Sequence, residues 1–207
     1  MSAFYRRISG SPAVTFPIRN SDFETLFKES PYSQGVCFAF SVLFLKNETL
    51  NLFDVGCRER LIGLQQAHED SVKTESTILT KQNLVLYGLR FVAKCHFESL
   101  DIPMIKQTLE QWVGLNKNNY TRVLLSISIH TKDDGVRKHF MPLMFDFKNN
   151  KWEVGDTTFA LDDAKRVARS ALPPMFLELY LRWQSQYVLG YCEANLELTL
   201  FQVKLRQ

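Results

Sequence analysis

An apolar run of ten residues, free of glycine, proline and charge, places the strongest constraint on how this chain can fold. It extends from Val36 to Leu45 and is interrupted only by the hydroxyl of Ser41. A helix that is apolar on every side has to be surrounded by the rest of the protein. The sequence therefore predicts a buried central helix over about residues 35–46, with the other elements packed around it.

Cys37 lies in the first turn of this predicted helix. There the unpaired backbone amides and the positive end of the helix dipole favour the nucleophilic thiolate. A cysteine inside an apolar run is nevertheless more often a small core residue, because free cysteine is among the most buried residue types. A catalytic interpretation of Cys37 therefore depends on a base and an acid supplied from elsewhere in the chain.

The composition narrows the class of protein. A length of 207 residues fits one compact domain, and contents of 45% hydrophobic and 13% aromatic residues exclude a disordered chain. A net charge of +3, with no block of five basic residues, does not favour a nucleic-acid partner. The longest apolar run is half of the roughly 20 residues needed to cross a bilayer, so we expect no transmembrane segment.

The cysteine pattern argues against two kinds of site. None of the four cysteines stands in a C-x-x-C pair, which speaks against a zinc site and against a disulfide framework. We therefore expect no metal and no cofactor. The positions are Cys37, Cys57, Cys95 and Cys192.

The first 21 residues differ from the rest of the chain. They contain three arginines with Ser, Gly and Pro, and the first carboxylate is that of Asp22. We expect residues 1–33 to be mostly irregular and residues 1–21 to be a mobile N-terminal segment, which would suit an uncleaved export signal. Residues 22–207 then form a single domain.

Helices precede strands in the predicted order. Periodicity and capping residues predict helices at 57–69, 71–90, 101–113, 161–169 and 174–184. Alternation and β-branched residues predict strands at 122–129, 139–147, 152–154 and 196–205, with a hairpin turn at 148–151. This order indicates an α+β fold with a mostly antiparallel sheet.

A thiolate nucleophile needs an imidazole within hydrogen-bond reach. His68 and His96 lie in segments that look helical and have no acid placed to orient them, while His130 ends a strand beside a solvated loop. His139 opens a strand directly after a polar loop, at the rim of the sheet where a cleft can form. His139 is therefore the candidate base.

The acid that would orient His139 can be chosen by strand parity. Side chains alternate faces along a strand, so Asp146 points away from the face that carries His139. Asp156 shares that face if Asn149 and Asn150 form a two-residue turn. In that register Asp156 stands opposite Leu143, roughly 13 Å along the strand from His139. A direct pair would require a shorter register or a bulge, for which Gly155 is a candidate.

Three short motifs together resemble a known family. Gly35-Val36-Cys37 opening an apolar helix, His139 opening a strand, and Asp156 after the next hairpin follow the order of papain-fold thiol enzymes. The closest likeness is to cysteine proteases of the YopT/AvrPphB type, which bacterial pathogens deliver into host cells. The segment from Val154 to Phe159 resembles that family's Asp-Pro-Asn-x-Gly stretch but lacks its Pro, Asn and Gly.

The resemblance implies a fold and a function. The fold would be papain-like, with a central Cys-bearing helix packed on a mostly antiparallel sheet. Cys37, His139 and Asp156 would form the catalytic triad, with the Cys37 amide and the Gln34 side chain meeting the oxyanion. The protein would be a monomeric virulence effector, either a protease or a glutamine deamidase, acting on a host protein. It would be secreted through a specialised system without a cleaved signal peptide and would work in the host cytoplasm.

Two other functions remain open from the sequence. A peptidoglycan amidase of the NlpC type has the same Cys-then-His order, although the Phe-rich composition and the missing secretory signal count against it. A non-catalytic interaction module would use Cys37 as a core residue and Asp156 as the cap of the helix predicted near residue 160.

Overall fold

The computed structural model describes residues 5–7, 15–17, 36–48, 50, 54–73, 88–115, 120–131, 135–155, 169–188 and 193–203. The expected helix at 161–168 lies outside these residues, as does most of the one expected at 71–90. The described helices are α1 (Cys37–Leu45), α2 (Val55–Lys73), α3 (Ile102–Leu115) and α4 (Leu177–Val188), with a short 3-10 turn, Pro174–Phe176, before α4.

The eight strands within the described residues form two antiparallel sheets. Strands β1 (Tyr5–Arg7) and β2 (Thr15–Pro17) pair with each other. The larger sheet has the strand order β3-β8-β4-β5-β6-β7. Its strands are β3 (Leu89–Phe97), β4 (Tyr120–Thr131), β5 (Gly135–Asp146), β6 (Lys151–Gly155), β7 (Arg169–Leu172) and β8 (Glu193–Val203).

The helix α1 packs on one face of the larger sheet. Phe38 of α1 contacts the ring of Phe140 on β5, and Arg122 on β4 donates from Nε to the carbonyl oxygen of Leu45 over 2.8 Å. Arg122 pairs with Met144 across the β4–β5 ladder, so even-numbered residues of both strands face the helix. We call this side the α1 face of the sheet.

The opposite face carries the odd-numbered residues of β4 and β5. Val123, Leu125, Met141 and Leu143 are 0–2% exposed. They belong to one core cluster with buried residues of α3 and α4, namely Ile102, Ile105, Leu109, Leu177, Tyr180 and Leu181. The sheet is therefore buried on both faces.

Aspartate side chains cap the starts of α2 and α3, and the second of these starts was predicted from the sequence. Asp54 Oδ1 accepts a hydrogen bond from the Cys57 amide at 2.8 Å, at the start of α2. Asp101 Oδ1 accepts from the Met104 amide at 3.1 Å, at the start of α3. Each carboxylate satisfies an amide that the helix itself leaves without an acceptor.

The hairpin between β5 and β6 has a four-residue loop, which corrects the two-residue turn expected at Asn149 and Asn150. Asp146 pairs with Lys151, and Leu143 pairs with Val154. The Asp146 carboxylate builds the loop, since its Oδ1 accepts hydrogen bonds from the amides of Lys148 at 2.9 Å and Asn149 at 3.2 Å. Asn150 closes the loop with a φ of 47°, a left-handed conformation that asparagine tolerates better than most residues.

Pro142 marks the end of the β5–β6 ladder. A proline argues against a central place for its strand, because it cannot donate a hydrogen bond to a neighbouring strand. β5 is nevertheless central, between β4 and β6. The described β6 ladder stops at Leu143, so Pro142 pairs only with Leu124 of β4 among the described residues. The backbone N–H that Pro142 lacks would therefore lie just beyond the last described pair of the β5–β6 ladder.

Three further expectations were wrong. The helix expected up to Arg90 gives way to a turn at Gly88, with a φ of 76°, and to strand β3. His96 consequently lies in a strand, not in a helical segment. Arg169, expected to end a helix, begins β7.

Candidate functional site

Cys37 is the first residue of α1 and the most accessible residue of that helix. It is 9% exposed, whereas the other eight residues of α1 are at most 1% exposed. Its carbonyl oxygen accepts a hydrogen bond from Ser41 Oγ at 2.7 Å, one turn along the helix. The thiol therefore lies at the point where an otherwise buried helix comes closest to the surface.

The backbone amides at this end of α1 are arranged to meet negative charge. Val36, in the N-cap position, provides no side-chain cap. The amide of Ala39 donates to Oε1 of Gln65 on α2 at 3.3 Å, inside the core. The amides of Val36, Cys37 and Phe38 likewise precede the first intrahelical hydrogen bond, which runs from the Phe40 amide to the Val36 carbonyl oxygen. Their position matches that of an oxyanion-binding donor beside the thiol.

His68 of α2 lies against the first turn of α1. Its ring stacks on that of Phe38, with centroids 3.7 Å apart and an interplanar angle of 13°. Its edge contact is with Phe140 of β5, at 5.5 Å and 88°. Phe38 and Phe140 also meet edge to face at 5.3 Å. The sequence did not favour His68 as the catalytic base. It is nevertheless the histidine that packs against Phe38, the residue after Cys37.

The environment of His68 keeps its imidazole neutral. The residue is 8% exposed, and burial, together with the nearby positive charge of Lys138, lowers the pKa of His68 to about 4. Burial is the larger of the two causes, because it penalises the charged form. At neutral pH His68 is therefore an uncharged ring within an aromatic contact.

His139 is the fifth residue of β5 and pairs with Ile127 of β4, so the expectation that it opens this strand was wrong. As the sequence predicts, it shares a strand face with Met141 and Leu143. The α1 face carries its neighbour Phe140 instead, through the contact with Phe38. Phe38 and Phe140, which follow Cys37 and His139 in the chain, therefore bring the first turn of α1 and strand β5 together.

The two remaining predicted site residues lie outside the described part of the chain. Asp156 follows Gly155, the last residue of β6, and Gln34 precedes Val36 by two positions. Strand parity excluded Asp146 as the partner of His139, and its carboxylate instead accepts hydrogen bonds from amides of the hairpin loop. The hydrogen bond from the Asn149 side chain holds the pKa of Asp146 below its usual range, against the opposing effect of burial.

Two structural searches of the described residues give negative results. They contain no group of three or more His, Cys, Asp or Glu side chains arranged to hold a metal ion. In the same part of the chain, the helices are too short or too polar to span a membrane.

Comparison with known proteins identifies a fold. No protein-family model matches the chain, and no curated protein matches it in sequence. Among solved structures, it is similar to the crystal structure of the Pseudomonas avirulence protein AvrPphB, with a TM-score of 0.57 and 10% sequence identity. The match covers 82% of this chain and 93% of the other. The fold resembles that of AvrPphB.

This likeness confirms the expected resemblance at the level of architecture. The chain has the mixed helices and antiparallel sheet of an AvrPphB-like, papain-like fold. An identity of 10% extends the likeness to the fold alone. Function has to be argued from the residues of the site.

Proposed function

We propose that the chain is a cysteine hydrolase with Cys37 as its nucleophile. The observation that carries the proposal is the position of this thiol, at the first residue and the accessible end of a buried helix. The AvrPphB-like fold supports the same interpretation, since the motifs resemble the YopT/AvrPphB type of cysteine protease. A likeness of fold at this sequence identity favours the activity without specifying it. The residues of the site have to account for the reaction.

In the proposed reaction the Cys37 thiolate attacks an amide carbonyl carbon. The new carbon–sulfur bond places the negative charge on the carbonyl oxygen, which the Cys37 amide and the Gln34 side chain receive. His139 takes the thiol proton and gives it to the departing nitrogen, while Asp156 orients the imidazole. Water then hydrolyses the thioester. Peptide cleavage and glutamine deamidation both begin with this attack, so the same residues serve either reaction.

The observed hairpin register bears on the proposed pairing of His139 and Asp156. The ladder pairs Leu143 with Val154. Extended by two residues, that register would bring Asp156 opposite Met141, two residues from His139 and about 7 Å along the strand. This offset is half of the one expected from the sequence, and the shared face is retained. In that register a pair of His139 and Asp156 would lie on the face of the sheet opposite α1.

Pairing of Cys37 with His139 places a condition on β5. Because Phe140 packs on α1 and His139 is the fifth residue of β5, a pair with Cys37 requires the His139 ring, together with the acid that orients it, to turn toward the α1 face. Catalytic hydrogen bonds are often long in proteins without substrate and tighten when it binds. We propose that substrate binding brings this change about.

The proposed setting is that of a bacterial effector. We propose that the chain acts on a host protein in the host cytoplasm as a monomer, and that residues 1–21 serve export without a cleaved signal peptide. Residues 22–207 would form the catalytic domain. The AvrPphB neighbour, an avirulence protein from Pseudomonas, supports this setting.

A non-catalytic interaction module is the second candidate. The specific observation in its favour is that Phe140, and not His139, occupies the α1 face beside the Cys37 turn. In such a module Cys37 would be part of the core, and the aromatic contacts would simply complete the packing.

Limiting alkylation separates the two candidates. The folded protein is treated with a small amount of iodoacetamide near pH 6, and the adducts on the four cysteines are mapped by mass spectrometry. Preferential labelling of Cys37 supports the hydrolase, and His139→Ala is expected to slow that labelling by about tenfold or more. His96→Ala, which changes an exposed histidine on β3, is the matched control. Equal labelling of all four thiols would overturn the proposal in favour of the interaction module.

A further inference from the structure

We propose that His68 is a positioning residue, which holds the first turn of α1 against β5 and thereby sets the direction of the Cys37 thiol. The inference rests on the proposed function of Cys37. It concerns a group of three rings, Phe38, His68 and Phe140, which we call the aromatic clamp. Each ring of the clamp contacts the other two.

The clamp joins the two segments that have to meet in the reaction. Phe38 is the residue after Cys37, and Phe140 is the residue after His139. His68 contacts both, stacked on Phe38 at 3.7 Å and edge-on to Phe140 at 5.5 Å. A shift of α2 or loss of the His68 ring would therefore change the position of Cys37 relative to Phe140 and the adjacent His139 of β5.

A second contact from α2 acts on the same turn. Gln65, three residues before His68 and so on the same side of the helix, accepts a hydrogen bond from the Ala39 amide at 3.3 Å. Its Nε2 donates to Glu69 Oε1 at 3.1 Å, which orients the amide group so that its oxygen faces α1. Both side chains are buried, with Gln65 at 6% and His68 at 8% exposed.

α1 needs such contacts because it has few of its own. It carries no charged side chain, and its N-cap residue Val36 forms no side-chain hydrogen bond. Apolar packing is not directional, so it buries the helix without fixing its rotation about its axis. A planar stack and a hydrogen bond are directional. The orientation of the first turn is thus determined mainly by α2.

The test uses two variants at one position. His68→Phe keeps a planar ring that can stack on Phe38, whereas His68→Leu keeps a similar volume without one. Hydrogen–deuterium exchange of the α1 amides is measured by mass spectrometry, together with the rate of Cys37 alkylation. Val42→Ala, one turn further along α1 in the same cluster, is the control for general loss of stability, since end amides exchange through local opening.

We expect His68→Leu to speed exchange of the first-turn amides by about tenfold and to slow Cys37 alkylation by about tenfold to a hundredfold, the cost of a small misplacement. His68→Phe should stay within about twofold of the unmodified protein in both measurements, and Val42→Ala should leave first-turn exchange within the same range.

Two results would overturn the proposal. Equal effects of His68→Phe and His68→Leu would mean that an imidazole nitrogen, and not the ring stack, is required. Unchanged exchange in both variants would mean that the clamp does not hold the turn. If the unmodified protein shows no preferential labelling of Cys37, the proposed function fails, and the exchange data then decide on the clamp separately.

Discussion

The imidazole of His68 lies parallel to the ring of Phe38, at a centroid distance of 3.7 Å and an angle of 13°. Stacking of this kind is compatible with a neutral ring buried between apolar neighbours. The charged groups near this contact are Lys138, whose positive charge opposes protonation, and Glu69 on the same helix; α1 has no charged side chain. The relationship therefore makes the stability of the fold sensitive to acid.

We expect the protein to lose stability between pH 6.5 and pH 4 through His68. The pKa of His68 is lowered from 6.5 to about 4 in the folded chain, so the unfolded chain binds the proton first as the pH falls. The full contribution is present above pH 6.5 and is lost toward pH 4. Between pH 7 and pH 5 this amounts to about 1–2 kcal/mol, a fall in Tm of about 2–6 °C.

Thermal unfolding followed by circular dichroism at the two pH values checks this expectation. His68→Phe should lose most of the difference in Tm, because it has no proton to bind, whereas His96→Gln, at an exposed position on β3, should retain it. A difference that is the same in His68→Phe and in the unmodified protein would contradict the expectation.

Gly155→Ala should destabilise the fold. A Cβ at this position would lie 2.7 Å from Cδ2 and Cε2 of Phe44 and 3.0 Å from Cε1 of Phe40. Both rings are buried, so we expect a cost of about 1–3 kcal/mol, as for other overpacked cores. Urea unfolding measures it. Gly63 lies at an exposed position of α2, and no atom is within 4 Å of a Cβ placed there. Gly63→Ala should therefore raise the free energy of unfolding by about 0.5–1 kcal/mol.

Arg122→Met should weaken the C-terminal end of α1. The substitution removes the hydrogen bond from Nε to the Leu45 carbonyl oxygen at 2.8 Å and leaves that acceptor buried. We expect a loss of about 1.5–3 kcal/mol in the free energy of unfolding. Arg182→Met, which removes an exposed pair with Glu178 on α4, should cost at most about 0.5 kcal/mol. Equal losses in the two variants would show that the Leu45 contact is not stabilising.

Asp156→Asn and Asp146→Asn should have different effects, the first on the alkylation rate of Cys37 and the second on the stability of the hairpin. Under the proposed function, Asp156→Asn leaves the imidazole without its orienting charge and should slow Cys37 alkylation about tenfold. Asp146→Asn removes the carboxylate that accepts the loop amides, so it should lower Tm and leave the alkylation rate unchanged. The reverse pattern would exclude Asp156 as the acid.

Elements whose signal is local could be predicted from the sequence. The ten-residue apolar run around Ser41 predicts α1, which begins at Cys37 and is buried throughout. Asp101 followed by Pro103 predicts the start of α3, where Asp101 caps the helix. Alternation along 122–129 predicts β4, which extends two residues further at each end, from Tyr120 to Thr131. In each case the pattern depends on neighbours close in sequence.

Features set by distant contacts could not be predicted. β3 alternates in burial along its length, with a shift in its pairing with β8 between Phe91 and Ala93, but the preceding residues favoured a helix. The hairpin loop is four residues long because Asp146 accepts its amides, a bond that no spacing rule specified. Parity grouped His139 with Met141 and Leu143, yet only the packing of Phe38 on Phe140 shows which face α1 covers.

Both ends of α1 are held by side chains from other elements, Gln65 at the first turn and Arg122 at the last. A nine-residue helix is marginal in water on its own, since nucleation is unfavourable and short helices gain few hydrogen bonds. In a partly folded chain this segment therefore lacks the supports that order it. Whatever chemistry the Cys37 thiol performs then becomes available only once α2 and the sheet have assembled around it, which couples reactivity to the completion of folding.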